Sequence, residues 1–124
     1  MADINAVATQ FTDFYYTSFD RDRSSLEPLY RPESMLTFEG TQLLGTANIL
    51  EKLKSLPFQN VQHKVTTLDA QPSTNPGAII VSVTGLLLVD GGENPLQFSQ
   101  VFQLVPSDGT YFVFNDIFRL NYGA

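Results

Sequence analysis

Two titratable side chains sit among apolar residues, and each offers acid–base or binding chemistry. Asp116 lies in the run Tyr111-Phe112-Val113-Phe114-Asn115-Asp116-Ile117-Phe118-Arg119-Leu120-Asn121-Tyr122. Strand alternation puts Phe112, Phe114, Asp116, Phe118, Leu120 and Tyr122 on one face. Apolar surroundings raise the pKa of a carboxyl, so Asp116 beside Tyr15, Tyr16 or Tyr122 could polarise a carbonyl and move a proton. The commoner arrangement is a buried carboxylate satisfied by Arg119 or by backbone amides. His63, the single histidine, shares strand parity with Val61 and Val65. It reads either as a half-buried ring bonded to a neighbour or as part of a binding site at the mouth of an apolar cavity.

Three more carboxylates, Glu39, Asp90 and Glu93, fall at strand ends or in a connecting loop. Each is a solvated surface charge in the simplest reading. The alternative is an acidic rim around an aromatic mouth, able to pair with a partner's lysine or arginine while an apolar side chain fills the centre. Other chemistry is missing. The chain has no cysteine and one histidine, so thiolate metal sites, disulfides and cysteine nucleophiles are excluded and a polyhistidine metal site cannot form. No glycine-rich phosphate loop or nucleophile elbow occurs, and nothing calls for a cofactor. The net charge of −6 argues against nucleic acid and anionic membranes as partners and favours a basic protein surface. The N-terminus lacks a basic and apolar leader, and no apolar run is long enough to span a membrane, so a soluble intracellular protein is expected.

The elements that must position these groups follow from periodicity. Residues 3–20 form an amphipathic helix capped by Asp3, with Ile4, Val7, Ala8, Phe11, Phe14, Tyr15 and Phe19 at helical spacing. Ser24 and Glu27 suggest a capping box for a short second helix distorted by Pro28. A short strand covers 35–39, and a third helix runs from Thr46 to Leu56, where Pro57 stops it. Long strands at 61–70, 78–90, 96–105 and 111–122 are separated by turn signals, the second of them Gly91-Gly92-Glu93-Asn94-Pro95. Gly85, inside a strand, marks a bulge or a bend. Helices first and strands afterwards give an α+β fold in a single domain, 1–124. A long N-terminal helix and two shorter ones would pack on a strongly curved antiparallel sheet, leaving a cone with an apolar interior. Val113 and Ile117, on the other face of the last strand, suit a sheet-to-sheet contact.

Six segments, in order along nearly the whole chain, resemble the nuclear transport factor 2 family, its fungal members most of all. They are Phe14-Tyr15-Tyr16 with Phe19-Asp20-Arg21-Asp22-Arg23; Met35-Leu36-Thr37-Phe38-Glu39-Gly40; Ser55-Leu56-Pro57-Phe58-Gln59; Gln62-His63; Asp69-Ala70-Gln71-Pro72; and Asn115-Asp116-Ile117-Phe118-Arg119-Leu120. The resemblance implies a cone-shaped homodimer that is not an enzyme. It implies binding to the GDP-bound form of the GTPase Ran, contact with FxFG-repeat nucleoporins, and carriage of Ran into the nucleus. The protein would then divide between cytoplasm and nucleus and concentrate at the nuclear pore. Carried over by residue, Glu39, Asp90 and Glu93 form the rim that meets Ran. Phe38, Leu56, Phe58, Val61 and Phe118 line the cavity for its aromatic side chain, with His63 close by. Ile4 stands where the family places an aromatic residue for nucleoporin binding. The rival readings are a small isomerase- or dehydratase-type enzyme on the same cone, using Asp116, and a dimerisation or small-ligand-binding domain.

Overall fold

The Asp3 carboxylate accepts hydrogen bonds from the Asn5 N–H at 3.0 Å and the Ala6 N–H at 3.4 Å. The first turn of α1, Ile4–Arg21, is capped in this way. The structure, a computed structural model, describes residues 3–56, 60–74, 76–90 and 94–121. α1 buries Ala8, Thr12, Tyr15, Tyr16 and Phe19. Phe14, expected in the apolar stripe, is 48% exposed, and Tyr16 takes the inward position. Asp22 rather than a Ser24–Glu27 box begins the short 3-10 helix Arg23–Leu29, accepting from the Ser24 N–H at 3.1 Å and the Ser24 hydroxyl at 2.6 Å. α2 spans Thr46–Lys54 behind Gly45, whose φ of 88° is the helix entry; Thr46 makes no cap.

Six strands follow: β1 Tyr30–Phe38, β2 Thr41–Leu44, β3 Val61–Pro72, β4 Ile79–Val89, β5 Leu96–Ser107 and β6 Thr110–Leu120. Among the described residues they make one sheet in the order β2-β1-β6-β5-β4-β3. β1 begins well before the short strand expected, because Ser34 ties it down: its hydroxyl donates to the Val113 carbonyl and accepts from the Arg31 N–H. The pairing is antiparallel except between β1 and β6, which run parallel and make the sheet mixed. The helices cover one face, and the core between them includes Tyr15, Leu36, Leu53, Phe98, Phe102 and Val113.

Three register slips interrupt the sheet among the described residues, one of them in β1 between Tyr30 and Met35; the other two lie in the long strands. Gly85 pairs with Val65, and the register slips before Thr67, so Thr66 is the extra residue on the facing strand. A Cβ on Gly85 would lie 2.3 Å from the Lys64 carbonyl oxygen and 2.9 Å from Phe98 Cε1, so no side chain fits at this bend. The second slip lies opposite Gln103 and Leu104 and makes Phe114 the extra residue of β6. This overturns the expected strict alternation. Beyond the bulge the parity reverses, so Val113 joins Asp116 and Phe118 on the inner face and is fully buried. Phe112 and Phe114 come together instead, ring centroids 6.5 Å apart, with Arg31 over Phe112. Val113 therefore has no surface to give a second copy, whereas Ile117 is 47% exposed on the outer face.

Candidate functional site

The inner face and the helices line a narrow apolar pocket with room for about one water molecule. Almost every element supplies a wall: Tyr15 and Phe19 from α1, Leu36 and Phe38 from β1, Leu53 from α2, His63 from β3, Leu87 from β4, Gln100 from β5 and Phe118 from β6. Alternation explains the strand contributions. Leu36 and Phe38, like Asp116 and Phe118, are two residues apart on adjacent strands in register. Phe38 stacks on Phe118, and Phe118 lies nearly parallel to Phe98 with centroids 5.7 Å apart. Lys52 Nζ lies 5.7 Å from the Phe38 ring centroid.

Behind the pocket lies a polar network. Asp116 Oδ1 accepts from Gln100 Nε2 at 2.7 Å, and Oδ2 accepts from the Tyr30 hydroxyl at 2.8 Å and the Tyr15 hydroxyl at 3.3 Å. The Tyr16 hydroxyl donates to Gln100 Oε1 at 2.7 Å. Burial pushes the Asp116 carboxyl up from 3.8 to about 6, against the pull of the bonds from Gln100, Tyr30 and Tyr15. Burial and the nearby Asp116 charge hold the hydroxyls of Tyr15, Tyr16 and Tyr30 well above the usual tyrosine range. Asp116 does not line the pocket; Tyr15 and Gln100 stand in front of it. Its partner is therefore this trio of donors, not Arg119, which is exposed on the outer face.

His63 is held by Asp20. One carboxylate oxygen takes the ring Nδ1–H at 2.6 Å, and the other takes the His63 backbone N–H at 2.9 Å. The ring stacks on Tyr16, centroids 4.6 Å apart, and meets Phe19 and Phe98 edge-on. His63 is thus bonded to a neighbour, as the simpler reading expected, and its ring also lines the pocket.

Glu39 and Asp90 lie at the same end of the sheet, each with a left-handed φ near 50°. Each turns its carboxylate onto a neighbouring backbone: Glu39 accepts from the Leu120 N–H, and Asp90 accepts from the Asn60 N–H at 2.9 Å. Glu39 directly follows the pocket residue Phe38, while Asp90 follows Val89 three residues beyond Leu87. Of the other expected site residues, Val61 is buried in the core and borders outer grooves, and Leu56 and Ile4 are partly buried against it. Phe58 and Glu93 lie outside the described residues. The sequence reading missed Phe19, Leu36, Leu53, Leu87 and Gln100. Gln100 carried a signal, being the polar residue in the inward series Phe98, Gln100, Phe102 and Leu104.

Among the described residues no group of three or more His, Cys, Asp or Glu side chains is placed to hold a metal. No helix there is long and apolar enough to cross a membrane. The buried polar side-chain atoms among them all have partners. The arrangement is thus an apolar pocket whose polar groups bond one another behind or beside it, and two fixed carboxylates lie at one end of the sheet.

Comparison with known proteins adds the lineage. The nuclear transport factor 2 (NTF2) domain model matches residues 7–120. Nuclear transport factor 2 of Schizosaccharomyces pombe is 63% identical over 123 residues, covering 99% of this chain and 100% of that protein. The Saccharomyces cerevisiae protein of the same name is 61% identical over 122 residues, covering 98% of each. The structure of nuclear transport factor 2 from Cryptosporidium parvum superimposes with a TM-score of 0.90 at 50% identity, covering 95% of this chain and 94% of that one. With the fold and these relatives in agreement, the chain belongs to the nuclear transport factor 2 family.

Proposed function

We propose that the protein is a non-enzymatic nuclear transport carrier that binds GDP-bound Ran and FxFG nucleoporins as a homodimer and brings Ran into the nucleus. The observation that carries this reading is the apolar pocket walled by Phe38 and Phe118, on a sheet that carries Glu39 and Asp90 just past the ends of β1 and β4. An aromatic side chain of Ran would fill it while basic residues meet the two carboxylates. Their bonds to backbone amides fix the charges in place, which lowers the entropy lost on pairing. Selectivity for GDP follows if Ran presents the aromatic in one nucleotide state only, with no contact to the nucleotide.

Support for a carrier over an enzyme comes from Asp116. It stands behind Tyr15 and Gln100, and its oxygens are engaged by three donors, so no reacting atom in the pocket reaches it. Support for the homodimer comes from the outer face, where Ile117, Phe114, Ile80 and Leu44 are exposed apolar residues. Ile4 would contribute to nucleoporin contact near the start of α1. The role places the protein on both sides of the nuclear envelope and at the pore. Import of fluorescent Ran into the nuclei of permeabilised cells tests the proposal. Added protein should raise the nuclear signal, and Glu39→Lys should not; equal import without the protein would reject it.

A further inference from the structure

We infer that Asp116 is a positioning residue for the cavity: its ionised carboxylate draws three donors to itself and so holds Tyr15 and Gln100 with their polar atoms turned away from the occupant. This rests on the proposed use of the cavity as a socket for an apolar side chain. Gln100 has a donor end and an acceptor end, and the carboxylate decides which faces which. Nε2 is committed to Asp116 at 2.7 Å, which turns Oε1 to the Tyr16 hydroxyl, also at 2.7 Å. Tyr15 is drawn back in the same way, toward Asp116 Oδ2 and the Tyr30 hydroxyl 2.8 Å away. Tyr16 in turn stacks on His63. Asp116 thus touches no occupant yet sets the orientation of two lining residues, Tyr15 and Gln100.

The groups facing Asp116 are Tyr15 and Tyr16 from α1, Tyr30 from β1 and Gln100 from β5, with the Asp20–His63 pair beyond Tyr16. A neutral residue of similar shape would be easier to bury. The ionised carboxylate accepts from Gln100 and Tyr30 at short range. The single Tyr15 hydroxyl proton is shared between Asp116 at 3.3 Å and the Tyr30 hydroxyl at 2.8 Å. When the carboxylate takes a proton from solvent it becomes a donor as well, and one of the three must turn. Gln100 can do so by rotating its amide, which turns Oε1 to the protonated carboxyl, breaks the bond from the Tyr16 hydroxyl and loosens the packing of both side chains against the cavity.

The test is a pH titration of the whole protein by NMR, from pH 7.5 to 5, following the Gln100 side-chain amide and the Asp116 carboxyl carbon. Both should move together with a midpoint near the value of about 6 that burial gives Asp116. In Asp116→Asn the Gln100 signals should stay fixed. Affinity for GDP-bound Ran should fall about tenfold over the same range in the wild type, the scale of losing one hydrogen bond to a charged group. In Asp116→Asn it should already be weakened at pH 7.5 and change less with pH. Stationary Gln100 signals in the wild type, or signals that move alike in Asp116→Asn, overturn the proposal. If Asp116→Asn does not fold, the two wild-type signals still decide. Absence of Ran binding at pH 7.5 defeats the socket reading, while the Gln100 titration continues to judge the positioning one.

Discussion

Phe38 and Phe118 lie face to face across the parallel β1–β6 pair, ring centroids 4.9 Å apart and planes 8° from parallel. The stack builds one wall of the socket from the ends of two strands far apart in sequence. Phe38→Ala should remove that wall. Because Phe38 is only half-buried, the stability cost should be about 2 kcal/mol, below the range for a core Phe→Ala change. The loss of Ran affinity should be larger than that cost suggests, since the occupant loses a stacking surface. Urea unfolding and calorimetry on the same preparation separate the two effects.

Glu39 has two roles that substitution can divide. Its carboxylate accepts from the Leu120 N–H, and on the proposed carrier reading its charge meets a basic residue of Ran. Glu39→Gln keeps an acceptor and removes the charge, so it should weaken Ran binding with little change in stability. Glu39→Lys loses both and should cost about 1 kcal/mol of stability besides abolishing binding. Equal unfolding midpoints and equal affinities for the two variants would contradict this division.

The bulge at Phe114 separates two neighbours that strict alternation would place together. Ile117→Glu puts a charge on the outer face and should shift sedimentation from dimer to monomer. Val113→Ala empties space in the core and should cost about 2 kcal/mol without changing association. A monomeric Val113→Ala protein, or a dimeric Ile117→Glu one, would mean that the outer face is not the contact.

Asp116 also governs stability against pH. Its folded value of about 6 exceeds the ordinary 3.8 of an unfolded carboxyl, so between these values the native state holds a proton the unfolded chain lacks. The contribution is full below the unfolded value and disappears as pH rises through the folded one. Wild type measured against Asp116→Asn should therefore gain about 1.5 kcal/mol between pH 7.5 and pH 5. Chemical denaturation across that range checks it; a difference that shrinks on acidification would reverse the sign.

Gly85→Ala should be among the most damaging small changes in the sheet. Its new methyl would meet the Lys64 backbone oxygen, which cannot turn aside as a side chain can. A loss of about 3 kcal/mol in unfolding free energy is expected, as for overpacking in a dense core.

Much of this was legible in the sequence, and what was hidden has physical causes. Helical spacing gave α1 and its Asp3 cap, and turn residues separated the four long strands. The parallel β1–β6 pair escaped because strand patterns carry no pairing direction. The parity reversal at Phe114 escaped because a bulge inserts one residue without a glycine to announce it. Asp116 was visible as a carboxylate among aromatics. Its donors, Tyr30 and Gln100, lie 86 and 16 residues away and are joined to it only by the fold. The Asp20 grip on His63 likewise spans 43 residues, from the last turn of a helix to the start of a strand.

The most direct test of the carrier reading is calorimetry of the wild-type protein with Ran loaded with GDP and, separately, with GTP. The account predicts saturable binding to the GDP form, loss of that binding in Glu39→Lys, and no measurable binding to the GTP form. Equal binding to both forms, or to neither, would contradict it.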